Sequence, residues 1–233
     1  MHVASEKSAT FDRRIGVQIG EGSLAPHVDR AMHALGYDFY DAEEDLVYAD
    51  RSTFPVWLAD EERIDELPSA SARPRARILA ISRPGRETSD DPRIVARLDR
   101  SVRLTSLYET VQIHFERTPR RKPRVPTSLS ARCIRDQGRS LGALLSLSEG
   151  GCLLHGDETL SEGVRVSLQF ALPDYGLVSA EAECRYRLSG NCGMAFALPP
   201  EDVRQTIAHY VTLRLAASAS ATPPPSAIEP ATA

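Results

Sequence analysis

The apolar positions along the chain change their rhythm near residue 117. Before it, short apolar runs alternate with helical patterns. Ile15–Ile19, Tyr37–Tyr40, Pro55–Ala59 and Arg77–Ser82 read as strands. Leu24, Val28, Met32 and Leu35 recur at helical spacing, and Gly36 is placed to end that helix. Pro92–Asp99 reads as a short helix and Val102–Leu104 as a weak fifth strand. Thr105–Phe115 reads as a helix with Leu107, Val111 and Phe115 on one face. Alternating strands and helices predict an α/β domain: a parallel sheet with helices on both faces.

Beyond residue 126 the period shortens to two. Thr127–Ile134, Ser140–Leu147, Gly151–His155, Gly163–Phe170, Leu177–Arg187 and Cys192–Ala197 are six strand candidates, separated by Gly, Asp and Asn clusters. Val164, Val166 and Leu168 alternate with Arg165, Ser167 and Gln169, as a half-buried strand requires. Six short strands without helices predict a closed antiparallel barrel. Pro199-Pro200-Glu201-Asp202 then opens a helix whose stripe is Val203, Ile207, Tyr210 or Val211, and Leu215. The expected division is a disordered start over 1–10, an α/β domain over 11–116, a linker over 117–126, a barrel with its helix over 127–216, and a disordered tail over 217–233.

Charge sharpens the linker. Residues 1–116 hold 15 Lys+Arg against 21 Asp+Glu, residues 117–139 hold 8 against 1, and residues 140–233 hold 5 against 10. The positive charge is therefore confined to one short segment between acidic flanks. That favours a compact anionic ligand or an acidic partner face over a long polyanion, which both flanks would repel. The cluster also lacks interleaved aromatics, so nucleic acid is not an expected partner. The four cysteines, Cys133, Cys152, Cys184 and Cys192, form no CxxC and no zinc spacing, and read as small buried apolar groups in a reducing compartment. The first residues lack the apolar core of a secretory signal, and no apolar run approaches membrane-spanning length. The expected location is the cytoplasm, without membrane association.

Two features carry the candidate chemistry. Arg120 and Arg124 stand at RxxxR spacing directly before Val125-Pro126, with Arg121 between them. Downstream stands Ser146-Leu-Ser148-Glu-Gly-Gly151. Together they resemble the PilZ domain, the bacterial receptor module for cyclic di-GMP, whose signatures are RxxxR and [D/N]xSxxG. Serine occupies position 146 where the family has Asp or Asn. The ending GMAF-ALP with a terminal helix resembles the same family, so the likeness runs over about residues 117–216. It implies a non-enzymatic cyclic di-GMP effector, with no catalytic residue, no metal and no cofactor beyond that ligand. Arg120, Arg121, Arg124, Ser146, Ser148 and Gly151 are the implied ligand contacts. An unidentified signalling or motility protein would read the bound state. Arg suits such a ligand because its planar fork matches both the guanine O6/N7 edge and phosphate. Ser146 has one hydroxyl and cannot reproduce the bidentate contact of Asp or Asn.

The first domain resembles a degenerate response-regulator receiver. Asp60 and Ser82 match the acceptor Asp and the Ser/Thr of receivers. The acidic pair is replaced by Gly20 and Glu21, and the Lys by Arg103-Leu104. Phosphoryl transfer thereby lacks its metal cradle and its charge clamp. Asp60 and Ser82 also read as ordinary loop-start residues. Gly20-x-Gly22-x-x-Ala25, with Asp41 about 20 residues on, fits a dinucleotide fingerprint, against which stand Pro26 and Asp29. The competing functional reading is a ligand-independent adaptor in which Ser146 marks a lost site.

Overall fold

The computed structural model describes residues 13–41, 54–83, 85, 88–135, 138–156 and 160–221. The expected disordered start over 1–10 lies outside the described residues, as does the tail from 222. The chain divides into two compact units between Arg120 and Arg121.

The first unit is a five-stranded parallel sheet in the order β2-β1-β3-β4-β5. Its strands are β1 (Arg14–Gln18), β2 (Asp38–Asp41), β3 (Val56–Asp60), β4 (Arg77–Ser82) and β5 (Ile94–Asp99). The central strand β3 is buried along its whole length, as a sheet covered on both faces demands. One face packs Trp57, Ala59, Ile78 and Ala80 with Phe54, Ile64 and Leu67. Among the described residues the unit also holds α1 (Pro26–Ala34), a 3-10 helix over Glu61–Glu66, and α2 (Leu104–Phe115). Proline begins α1. Gly36, at φ +83°, ends it as expected. The Tyr37 and Gly36 amides donate back to the Met32 and His33 carbonyls, closing the last turn. This topology is consistent with the receiver-like reading.

One assignment is corrected. Residues 94–99 form the fifth strand, not a helix, and Val102–Leu104 is not a strand; Leu104 begins α2. Pro92 imitates helix-start chemistry, but β-branched Ile94 and Val95 suit an extended chain. Pairing from Ile78–Ile94 to Ser82–Asp99 supplies backbone partners along β4. The turn before β5 is locked locally, because Arg93, only 7% exposed, grips Asp91 through Nε and Nη2. The expected Lys site therefore moves to the end of β5, where Asp99 and Arg100 stand.

The receiver-like positions are occupied by internal contacts. Asp60 is buried and its Oδ2 accepts from the Gly20 amide at 2.7 Å and from Ser23 Oγ at 2.8 Å. The same bond takes an amide of the dinucleotide fingerprint, while Pro26 removes another from the first turn of α1. Ser82 Oγ donates to Glu61 Oε2 at 2.5 Å, and the Ser89 amide and Arg97 Nε donate to Oε1. Burial alone would raise the Glu61 carboxyl, but the Ser82, Arg97 and Ser89 bonds outweigh it and hold the group below its ordinary value of 4.5. A lowered carboxylate stabilises the fold above its unfolded value, and that stability is lost as pH falls through the folded value. Denaturant unfolding of the first unit should therefore show a loss beginning below pH 4.5. The loss should be smaller in Glu61→Gln; equal slopes in both proteins would remove Glu61 as its source.

The second unit is a closed barrel in the order β10-β11-β8-β7-β6-β9. Its strands are β6 (Val125–Arg135), β7 (Gly138–Ser148), β8 (Gly151–His155), β9 (Arg165–Leu172), β10 (Gly176–Leu188) and β11 (Asn191–Phe196). All pairings are antiparallel. Leu144, Leu147, Leu154, Leu168 and Phe170 fill the inside. The four cysteines are buried there and unbridged. The helix α3 (Glu201–Ala221) buries Ile207, Tyr210, Val211 and Leu215 and runs five residues past the expected end at 216. No helix among the described residues is long and apolar enough to cross a membrane.

Candidate functional site

The two sequence signatures meet the fold differently. Ser146 lies on β7 two residues after Leu144, which is fully buried. Strict alternation would send Ser146 into the barrel as well. Instead the β7–β8 register shifts between Leu144 and Ser146. The extra residue, Leu145, turns Ser146 to the outside, the re-aiming that bulges supply. There Ser146 pairs with Pro126 on one side and Leu153 on the other. Its neighbour Leu147 faces in, opposite Val125 and Cys152.

Ser148 and Gly151 close the β7–β8 hairpin. Ser148 is 2% exposed and its Oγ donates to the Gly151 carbonyl at 3.0 Å. A Cβ added at Gly151 would stand 2.1 Å from the Met194 carbonyl oxygen, so the close approach of β11 requires glycine. Each of these residues therefore has a structural duty of its own. Between them, Glu149 is nearly buried and lies 3.5 Å from Lys122 Nζ and 3.6 Å from Arg204 Nη1 of α3. This carboxylate, absent from the sequence expectations, ties the basic segment and the terminal helix to the hairpin.

The basic segment leads straight into the barrel. Pro123 and Val125 are buried, which leaves Arg124 facing out. Burial pushes the Cys152 thiol up, the Cys133 thiol adds to this, and the Arg124 charge is near enough to oppose it. Arg121 is exposed. Within the second unit the structure thus brings Arg124, Ser146, Ser148 and Gly151 to the β6–β7–β8 sector.

Arg120 belongs to the first unit. The carboxamide of Gln112, on α2 and 2% exposed, donates through Nε2 to the Arg120 carbonyl and accepts the Arg120 amide at 2.6 Å. A buried amide left unpaired costs about 1–3 kcal/mol, so the two bonds hold the chain turn between α2 and Arg120. Within the expected linker over 117–126, Arg120 bonds to Gln112, and Pro123 and Val125 are buried. Among the described residues no group of three His, Cys, Asp or Glu is arranged to hold a metal ion.

The second unit is thus a closed six-stranded barrel with a terminal helix, entered by an arginine-rich segment. Residues 118–213 match the family model described as PilZ domain, so this part of the chain is a PilZ domain. Solved structures share the likeness. The Bacillus subtilis inhibitor of motility, MotI/DgrA, is 18% identical, over 42% of this chain and 51% of that one, with a TM-score of 0.38. The PilZ domain with c-di-GMP of YcgR from Escherichia coli is 16% identical, over 45% and 96%, at 0.37. The K. pneumonia MrkH–c-di-GMP complex is 20% identical, over 45% and 55%, at 0.37. The chain spans about half the length of the first of these. No curated protein matches the chain.

Proposed function

We propose that the chain is a non-enzymatic cyclic di-GMP-binding effector, with a receiver-like unit that carries the signal to a protein partner. The observation that carries the reading is the pairing of Ser146 with Pro126 on the outer face of a PilZ domain, two residues from Arg124. Arg124, Arg120 and Arg121 supply guanidinium groups for phosphate and for guanine O6/N7. Ser146 offers one hydroxyl to a base edge. Ser148 and Gly151 keep the hairpin in shape and keep its backbone within reach of the ligand.

Calorimetric titration with cyclic di-GMP tests the reading. The expected result is saturable binding that weakens as salt is added, because guanidinium–phosphate contacts are screened. A flat titration at millimolar ligand would transfer the chain to the adaptor reading, in which both units act only through protein contacts.

A further inference from the structure

We propose that Gln112 is a positioning residue for the ligand site: its side chain fixes the backbone of Arg120, the first arginine of RxxxR, and so decides how that guanidinium is offered to cyclic di-GMP. The inference rests on the cyclic di-GMP reading and adds to it a residue outside both signatures.

The place of Gln112 on α2 is the first observation. Leu104, Leu107, Tyr108 and Val111 form the buried stripe of this helix, and Gln112 is buried with them. A carboxamide there is costly unless both its ends find partners. An apolar side chain of the same length would serve the packing of α2 without that demand. What glutamine adds is a hold on one residue. Its Nε2 donates to the Arg120 carbonyl and its oxygen accepts the Arg120 amide. That is the exchange of bonds a paired strand residue would make, supplied here by a side chain.

The side chain of Arg120 is the second. The residue is exposed and lies in neither helix nor strand, and its guanidinium has no partner among the described residues. The backbone is held while the charged end is open. The chain is tied upstream as well. The Glu116 amide donates to the Gln112 carbonyl at 2.8 Å, and Glu116 Oε1 lies 2.5 Å from Arg13 Nη2. Arg13 in turn donates to the Leu35 carbonyl and lies 5.2 Å from the centre of the Tyr37 ring. Residues 117–119 therefore run between two tethered points, and Pro119 narrows φ just before Arg120.

Holding this backbone matters because Arg124 stands only four residues further on. Two arginines that grip one ligand must both be brought to it, and freedom still present in the chain is lost on binding. Released from Gln112, Arg120 could still reach the ligand but would lose more freedom in doing so. Linkage makes the effect mutual: ligand held by Arg120 steadies the bonds to Gln112 as much as those bonds strengthen binding.

The test is a double-mutant cycle on the full chain, with cyclic di-GMP binding read by calorimetry. Gln112→Met keeps the length and helix-forming character of the side chain but makes neither bond. It should bind about three- to ten-fold more weakly than the wild type, the loss expected when a segment must be ordered on binding. Arg120→Ala should lose more. With Arg120→Ala already in place, adding Gln112→Met should change affinity by less than about two-fold, because its effect passes through Arg120. A general loss of folding would weaken binding in both backgrounds alike. Hydrogen exchange on the wild type needs no variant: the Arg120 amide should be protected in the free protein. Gln112→Met or Arg120→Ala binding as well as the wild type, an equal loss from Gln112→Met in both backgrounds, or an Arg120 amide that exchanges as fast as open chain overturns the positioning role alone. A wild type that does not bind overturns the cyclic di-GMP reading, and this inference with it.

Discussion

Arg124→Ala should weaken cyclic di-GMP binding by about ten- to a hundred-fold. The residue sits between buried Pro123 and buried Val125, so its backbone direction is fixed and its side chain faces out. The backbone is thus placed before a ligand arrives, and only the side-chain freedom remains to be lost on binding. A hydrogen bond to a charged group is worth about 1.5–3 kcal/mol, which converts to the stated fold-change. The truncation removes no core packing, so the melting temperature should hold. Arg121→Ala should cost less, since no buried neighbour pair fixes its direction. Calorimetry on the two variants decides the matter: equal affinities for wild type and Arg124→Ala would take Arg124 out of the site.

Ser146→Asn should act in the opposite direction and tighten binding. A restored bidentate contact to a base edge is worth about 1–3 kcal/mol, roughly thirty-fold in affinity at the middle of that range. Because the bulge at Leu145 turns position 146 outward, the longer side chain meets solvent and not the barrel core. The gain should therefore come without loss of stability. If the wild type binds well and Ser146→Asn binds no better, residue 146 does not face the base. If neither binds, the defect lies elsewhere in the pocket.

The barrel was legible in the sequence because its strands alternate cleanly and its turns carry Gly, Asp and Asn. Each of the six expected strands is present, with ends displaced by a few residues. The terminal helix and the Gly36 helix end were legible for similar local reasons. Residues 94–99 were misread because Pro92 carries a helix-start signal, while the pairing partner that makes them a strand lies on β4. Of the site, the signatures were legible and their geometry was not. Periodicity places Ser146 inside; only the register shift shows it outside. Gln112 reads as an ordinary polar residue on a helix, because its partner is a backbone eight residues further along the chain.

The grip of Gln112 on Arg120 makes the RxxxR signature common property of two modules. A fragment cut between Arg120 and Arg121 keeps Arg124 and the whole barrel but leaves one arginine behind. Exchanging the first unit for another fold at that same point would discard both that arginine and the carboxamide that holds its backbone. Transplanting both arginines together with Gln112 therefore calls for a seam before α2, ahead of Leu104.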